Sequence, residues 1–184
     1  MPLISTNAYL TRKQCEDNAF YIWEYFTGTG GWTKNSVAAM LGNMFVESTI
    51  NPGLWQGFDE FDLTGGFGLV QWTPASKYID WAATIGADEY AAYKLIDPQC
   101  QRIMYELMND LQWQETQGMS FLEFTQSNAG IRYLSDRFCW GYEIPDDPDL
   151  VLRADLAEYW YKLFSGVRKK KWIYLLGKPQ FIGG

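Results

Sequence analysis

Glu47 is the side chain best placed by the sequence for acid chemistry. It follows Met44, Phe45 and Val46 at the predicted end of an apolar helix. Cleavage of a glycosidic bond needs a carboxylic acid that stays protonated near neutral pH and donates to the leaving oxygen. Apolar surroundings and the negative end of a helix both favour the protonated form of a carboxyl group. We therefore interpret Glu47 as a general acid for glycan cleavage.

Many glycosidases use a second carboxylate beside the acid. Asp59, Glu60 and Asp62 lie on the predicted loop after Glu47, and any of them could serve. We retain Asp59 and Asp62 as catalytic candidates. Each of the three acidic residues also fits the simpler interpretation of a solvated loop charge.

A glycine-rich aromatic segment follows this acidic loop. Glycine has no Cβ, so the backbone around Gly66 and Phe67 could approach a ligand closely. Gln71 can form hydrogen bonds with an acetamido or hydroxyl group, and Trp55 and Trp72 can stack on sugar faces. We predict that these five residues bind substrate. Core packing is the alternative for the two tryptophans.

The chain of 184 residues contains no histidine, which removes several kinds of catalytic site. Ser-His-Asp and Cys-His hydrolases need an imidazole base, and the zinc sites of many peptidases need imidazole ligands. The three cysteines, Cys15, Cys100 and Cys139, show no CxxC spacing. We predict no metal and no cofactor, and expect Cys15 and Cys100 to be buried on helix faces.

Charge and hydropathy exclude further classes of protein. The net charge is -7 and the isoelectric point is near 4.6, which disfavours binding to a nucleic-acid backbone. No stretch reaches the roughly 20 apolar residues that span a membrane, and the first residues lack the pattern of a signal peptide. We expect no nucleic-acid partner, no membrane span and no signal peptide.

Helical spacing of apolar residues predicts a mostly α-helical chain. Thr11 is the predicted N-cap of the first helix, and Thr33 or Asn35 that of the second. Residues 54–72 are rich in glycine and aromatic residues with little helical periodicity, which indicates a small β-hairpin or irregular β lobe. The predicted fold class is therefore α+β, mostly α.

Later helix starts are marked by proline and by a capping box. Thr73 is predicted to cap a helix with Pro74 in its first turn, and a long apolar stripe after Asp97–Pro98 predicts the central helix. Ser120 and Glu123 form a capping box. We divide the chain into a catalytic domain, residues 1–165, and a C-terminal strap or docking tail, residues 166–184.

Several of these motifs together resemble the phage tail lysozyme family. The likeness is closer still to the N-terminal lysozyme domain of tail-knob cell-wall-degrading proteins of small short-tailed phages of Gram-positive bacteria. The segments that carry it are residues 42–44, 47–48, 50–53 and 66–74, with Asn18, Ala19, Ile22, Tyr142, Glu143, Pro145 and residues 157–161 in the same pattern.

The resemblance implies a lysozyme-like fold with a small β-hairpin lobe beside a helical lobe. It implies cleavage of the β-1,4 bond between N-acetylmuramic acid and N-acetylglucosamine in peptidoglycan, with Glu47 as the catalytic glutamate. The same elements are similar to goose-type lysozymes and lytic transglycosylases, which need no second carboxylate. The implied partners are peptidoglycan glycan strands and phage tail or tail-knob proteins, and the implied location is the tail of the virion.

Three alternatives stay open. The same glutamate could serve a lytic transglycosylase, or the chain could be a non-catalytic structural or glycan-binding tail component. A free endolysin is the weakest alternative, because no separate wall-binding module is visible. Tail-knob relatives often carry a metal-dependent endopeptidase domain, and this sequence offers no histidine to build one.

Overall fold

A computed structural model describes residues 3–115 and 118–166 of the chain. These residues form eight α-helices: Arg12–Glu24 (α1), Lys34–Ser48 (α2), Ser76–Thr84 (α3), Tyr90–Tyr93 (α4), Ile96–Met108 (α5), Phe121–Gln126 (α6), Ile131–Phe138 (α7) and Leu150–Ser165 (α8). π-helical turns, Tyr25–Thr29 and Cys139–Glu143, continue α1 and α7, and Gln56–Phe58 is a 3₁₀ turn. None of these helices is both long and apolar enough to cross a bilayer. Beyond Gly166, the predicted tail lies outside the described residues.

Helix α2 is the central helix of the molecule. Its residues 36–44 are all buried, and it packs against α8, α7 and α1. The expectation that the helix after Asp97–Pro98 would be central is wrong. That helix, α5, ends at Met108, which is 71% exposed. Only one face of α5 is apolar, whereas α2 is apolar on nearly every face, as a fully enclosed helix must be.

Gly42 allows α2 and α8 to approach each other closely. A Cβ at this position would lie 2.4 Å from the carbonyl oxygen of Arg153 and 2.7 Å from the backbone nitrogen of Ala157. Only glycine fits such a contact without a backbone shift. The close approach places Arg153 beside the face of α2 that carries Asn43 and Glu47.

The predicted helix caps are largely confirmed. Thr11 caps α1 through the backbone N–H of Gln14, whose side chain completes a capping box. Thr33, rather than Asn35, caps α2. The capping box of Ser120 and Glu123 begins α6 as predicted. Local side-chain chemistry is therefore sufficient to place these three helix starts.

The predicted cap at Thr73 is wrong. Helix α3 begins at Ser76, and the Thr73 hydroxyl instead donates to the carbonyl oxygen of Gln71 at 2.9 Å. The peptide bond between Thr73 and Pro74 is cis. Thr73 therefore belongs to the turn before α3.

The predicted β-hairpin lobe is also wrong. Among the described residues, the only β pairing within segment 54–74 consists of isolated antiparallel bridges, which pair Phe67 with Trp55 and with Trp72. A β ladder needs extended backbone over several consecutive residues. Left-handed backbone interrupts this segment at Phe58, Phe61, Gly68 and Gln71. The segment is consequently an irregular lobe beside the helices.

The three cysteines are free and buried, which confirms the expectation for Cys15 and Cys100. Burial raises the pKa of the Cys15 thiol to about 11, and that of Cys139 to about 11 as well. Thiols in this environment stay protonated and behave as small apolar groups.

Candidate active site

A cavity of about 500 Å³ lies where the end of α2, the irregular lobe and the turn after α7 meet. Helix α2 contributes Glu47 to its lining, and the turn after α7 contributes Glu143. Tyr9, Trp55 and Gln71 also line it. Carboxyl groups, amide side chains and aromatic residues thus share one cavity, which is the composition of a polar ligand site with flat apolar faces.

Glu47 is held by a buried arginine. Its side chain is 18% exposed, and its Oε1 accepts a hydrogen bond from Nη2 of Arg153 at 2.5 Å. The Arg153 side chain, only 2% exposed, also donates to Oδ1 of Asn43 at 3.0 Å and to the carbonyl oxygen of Pro148 at 2.6 Å. Oε2 of Glu47 forms no hydrogen bond with the described residues. Glu47 is therefore fixed through one oxygen and free at the other.

The end of α2 is tied to the irregular lobe by Ser48. Its hydroxyl contacts the carbonyl oxygens of Met44 at 3.1 Å and Leu69 at 2.9 Å. Thr49, with a φ of 56°, ends the helix in left-handed backbone. These contacts set the position of Glu47 relative to the glycine-rich segment.

Glu143 has a different environment in the same cavity. Its side chain is partly buried, and its Oε1 is fully buried without a hydrogen-bond partner among the described residues. Burial raises the pKa of Glu143 well above its ordinary value, and the negative charge of Glu47 acts in the same direction. The guanidinium of Arg153 opposes the shift but does not cancel it. Glu143 is therefore a carboxyl group that keeps its proton to higher pH than an exposed glutamate does.

A buried glutamate supports the turn that carries Glu143. Glu106 accepts hydrogen bonds from Nε1 of Trp72 at 3.1 Å, from Nε of Arg102 at 2.8 Å and from the hydroxyl of Tyr142. Burial raises the pKa of Glu106, while these donors oppose that shift. The cluster joins α5, the glycine-rich segment and the turn next to Glu143.

Two of the five predicted substrate-binding residues line the cavity, namely Gln71 and Trp55. The Trp55 side chain is only 1% exposed and packs on Phe67, so stacking of its ring on a sugar stays a prediction. Nε2 of Gln71 donates to the carbonyl oxygens of Leu54 at 3.1 Å and Gly68 at 3.0 Å. Its Oε1 accepts no hydrogen bond within the described part of the chain, so this oxygen is available to a ligand donor.

The other three predicted substrate-binding residues do not line the cavity. Trp72 is 2% exposed and stacks on Tyr78, with 4.7 Å between ring centroids. Phe67 is fully buried in the core. Gly66 is buried, and its N–H donates to Oε1 of Gln56 at 2.8 Å. Their geometry indicates structural roles, and binding of substrate by them stays a prediction.

The three acidic residues of the loop after Glu47 are not among those that line the cavity. Asp62 accepts hydrogen bonds from the backbone and hydroxyl of Thr64, and the pKa of Asp62 is lowered by them. Glu60 accepts from the hydroxyl of Tyr90 at 3.1 Å, and Asp59 is exposed. Catalysis by Asp59 or Asp62 stays a prediction that this geometry does not favour, because neither is among the residues that line the cavity.

Arg153 and Glu143 were not identified as site residues from the sequence. Arg153 carries a usable signal, because it lies on the same stripe of α8 as the buried residues Leu156, Ala157 and Trp160. An arginine on a buried stripe must find a partner, since an unpaired buried charge is costly. Glu143 has no comparable local signal beyond its place in the family-like motif.

A family model described as phage tail lysozyme matches residues 17–164, which include Glu47, Glu143 and Arg153. The chain belongs to the phage tail lysozyme family. This confirms the resemblance noted in the sequence. The chain is also similar to morphogenesis protein 1 of Bacillus phage B103, with 46% identity over 162 residues. The matched region is 88% of this chain and 43% of that protein, so the chain spans less than half the length of this relative.

Proposed function

We propose that this chain cleaves the β-1,4 bond between N-acetylmuramic acid and N-acetylglucosamine in peptidoglycan, with Glu47 as the general acid. The observation that carries the proposal is the cavity in which Arg153 fixes one oxygen of Glu47 and leaves the other free. As part of a phage tail, the enzyme would open the host wall locally for genome delivery. Its partners would be glycan strands and neighbouring tail or tail-knob proteins.

Exposed aromatic rings at the cavity offer a place for the sugars. Tyr9 is 67% exposed and Phe58 47% exposed, and their ring centroids lie 5.1 Å apart in an edge-to-face arrangement. Asn7 holds the two segments together, because its Nδ2 donates to the carbonyl oxygen of Phe58 at 2.9 Å and its Oδ1 accepts from the backbone of Trp55 at 3.1 Å. Preorganised aromatic faces of this kind suit the apolar face of a pyranose ring.

Bond cleavage then follows from the position of Glu47. Its proton passes to the glycosidic oxygen as the bond from C1 to that oxygen breaks, and the bonding electron pair goes to the oxygen. The sugar develops positive charge at C1, and a water completes hydrolysis by bonding there and releasing a proton. Arg153 orients the carboxyl group, so that little reorganisation is needed during the reaction.

The test is to compare the wild type with Glu47→Gln on purified peptidoglycan. Glutamine has nearly the same shape but cannot act as the acid, so we expect lysis to fall by about 10²- to 10⁴-fold. Glu60→Gln makes the same change outside the cavity and should leave lysis unchanged. Absence of lysis by the wild type, or equal lysis by wild type and Glu47→Gln, would reject the proposal in favour of a glycan-binding or structural tail component.

The reaction products distinguish hydrolysis from transglycosylation. Mass spectrometry of the released glycans should show reducing ends if water attacks C1. Products with 1,6-anhydro ends would instead identify a lytic transglycosylase that uses the same glutamate. Either result is consistent with Glu47 as the acid. The products decide only whether C1 ends as a reducing end or as a 1,6-anhydro end.

A further inference from the structure

We infer that Glu143 is the second catalytic carboxyl group of this cavity, and that Glu143 and Glu47 together hold one proton before substrate binds. This inference rests on the proposed glycan cleavage at Glu47. Both side chains line the same cavity of about 500 Å³, although they come from separate parts of the fold. Asp59 and Asp62, the candidates nearer in sequence, do not line it.

The charged groups around Glu47 and Glu143 explain why the two carboxyl groups together hold one proton. Arg153 compensates one negative charge through its 2.5 Å contact with Glu47. A negative charge on Glu143 would have no donor at its buried Oε1. The other charged groups near it do not supply a cation, because Glu106 is itself acidic and holds Arg102, and Asp146 is acidic as well.

An unpaired charge at a buried oxygen is costly, so the pair is most stable with one carboxylate and one carboxylic acid. Because the two groups interact, the proton belongs to the pair rather than to one residue. The high pKa of Glu143 agrees with this distribution.

The turn that carries Glu143 is held firmly by its neighbours. The neighbouring Tyr142 is fully buried, donates its hydroxyl to Glu106, and accepts at its carbonyl oxygen from Nε2 of Gln112 at 2.9 Å. At Gly141 a Cβ would lie 2.8 Å from the ring of Trp113, so the turn packs closely on that ring. Catalysis requires such fixed positions, since small displacements of a reacting group are expensive.

The pair provides both proton transfers of hydrolysis. In the form of the pair in which Glu47 carries the shared proton and Glu143 the negative charge, Glu47 delivers that proton to the glycosidic oxygen as the bond to C1 breaks. Both carboxyl groups are then negative. Their charge stabilises the positive charge that develops at C1. Glu143 next accepts a proton from the water whose oxygen bonds to C1, which restores the state with one proton. Overall, one water is consumed and one glycosidic bond is cleaved.

The experiment measures kcat and KM on a soluble glycan chain as a function of pH for wild type, Glu143→Gln, Glu47→Gln and Glu60→Gln. We expect Glu143→Gln to lower kcat by about 100-fold, with KM within about 3-fold of wild type. Plotted against pH, the wild-type kcat/KM should be bell-shaped, with a rising and a falling limb. The profile of Glu143→Gln should lose one of these two limbs. Glu60→Gln should match the wild type.

The outcomes separate this inference from the proposed function. An inactive Glu47→Gln together with a Glu143→Gln that keeps the wild-type kcat and pH profile overturns the role of Glu143 alone. A wild type that cleaves no glycan overturns both. If Glu143→Gln fails to fold by circular dichroism, Glu143→Asp decides. Its shorter carboxyl group should lower kcat and displace one limb of the profile, and unchanged kinetics would overturn the inference.

Discussion

Glu47 and Glu143 are the same type of residue in one cavity, yet their surroundings differ in almost every respect. Glu47 ends a long α-helix and pairs with buried Arg153, whereas Glu143 ends a short π-helical turn with a buried oxygen that has no donor. The difference shows that the segment carrying a carboxyl group determines where it lies, while neighbouring segments determine its charge. Arg153 is the residue on which this contrast depends.

The largest effect should come from Arg153→Met, which removes the cation but keeps most of the side-chain volume. The substitution leaves the Glu47 carboxylate without its partner, so we expect a loss of about 3 to 5 kcal/mol in the free energy of unfolding. Urea denaturation measures it. Arg132→Met is the matched control, since Arg132 pairs with Asp155 at a surface where the side chains are 49% and 60% exposed. That control should cost much less, because solvent screens the exposed pair, and equal losses would remove the contrast.

The second-largest effect is expected in the pH dependence of the free energy of unfolding, to which Glu143 contributes. The pKa of Glu143 is raised in the folded protein above its ordinary value of 4.5, so the folded state binds more protons than the unfolded state between these two values. Its contribution to stability is therefore full below about pH 4.5 and is lost as pH rises toward the folded pKa. The slope is at most about 1.4 kcal/mol per pH unit.

Glu143→Gln should lack this slope, so its stability relative to wild type should increase as pH rises above about 4.5. Glu47→Gln should be less stable than wild type at neutral pH, because Arg153 loses its charged partner. Urea unfolding at several pH values measures both. Glu106 also has a raised pKa, but it is present in all three proteins and cancels in the differences. Parallel stability curves for wild type and Glu143→Gln would contradict the assigned protonation.

The smallest effect concerns the aromatic rings rather than the carboxyl pair. Tyr9→Ala and Phe58→Ala each remove a ring that lines the cavity but holds neither carboxyl group. We expect each to raise KM by about 3- to 10-fold with little change in kcat, since an aromatic contact contributes about 0.5 to 1.5 kcal/mol. Phe61→Ala is a suitable control, because Phe61 is 57% exposed and does not line the cavity. A fall in kcat without a change in KM would argue against sugar binding at these rings.

Features governed by short-range chemistry were predicted well. The caps at Thr11, Thr33 and Ser120 need only residues within three positions along the chain. Glu47 follows from the apolar helix that precedes it. The β-hairpin prediction failed because aromatic and glycine composition does not reveal left-handed backbone at non-glycine residues such as Phe58 and Gln71.

The partners of the site residues could not be predicted in this way. Arg153 and Glu47 are 106 positions apart, and their contact depends on how closely α8 packs against α2 at Gly42. Trp72 was expected to face a sugar, but its indole N–H is used by Glu106, 34 positions away. Sequence spacing contains no information about such pairings, because they arise from the packing of complete helices.

By itself, the sequence determined the family, the helical character and the glutamate at the end of α2, because these depend on residue type and local periodicity. It also excluded histidine-based chemistry. Only the tertiary structure decided that Glu47 is paired with Arg153, that Glu143 shares its cavity and that the acidic loop does not. The physical reason is that the charge of a carboxyl group is set by burial and by nearby charges, and those depend on contacts between distant parts of the chain.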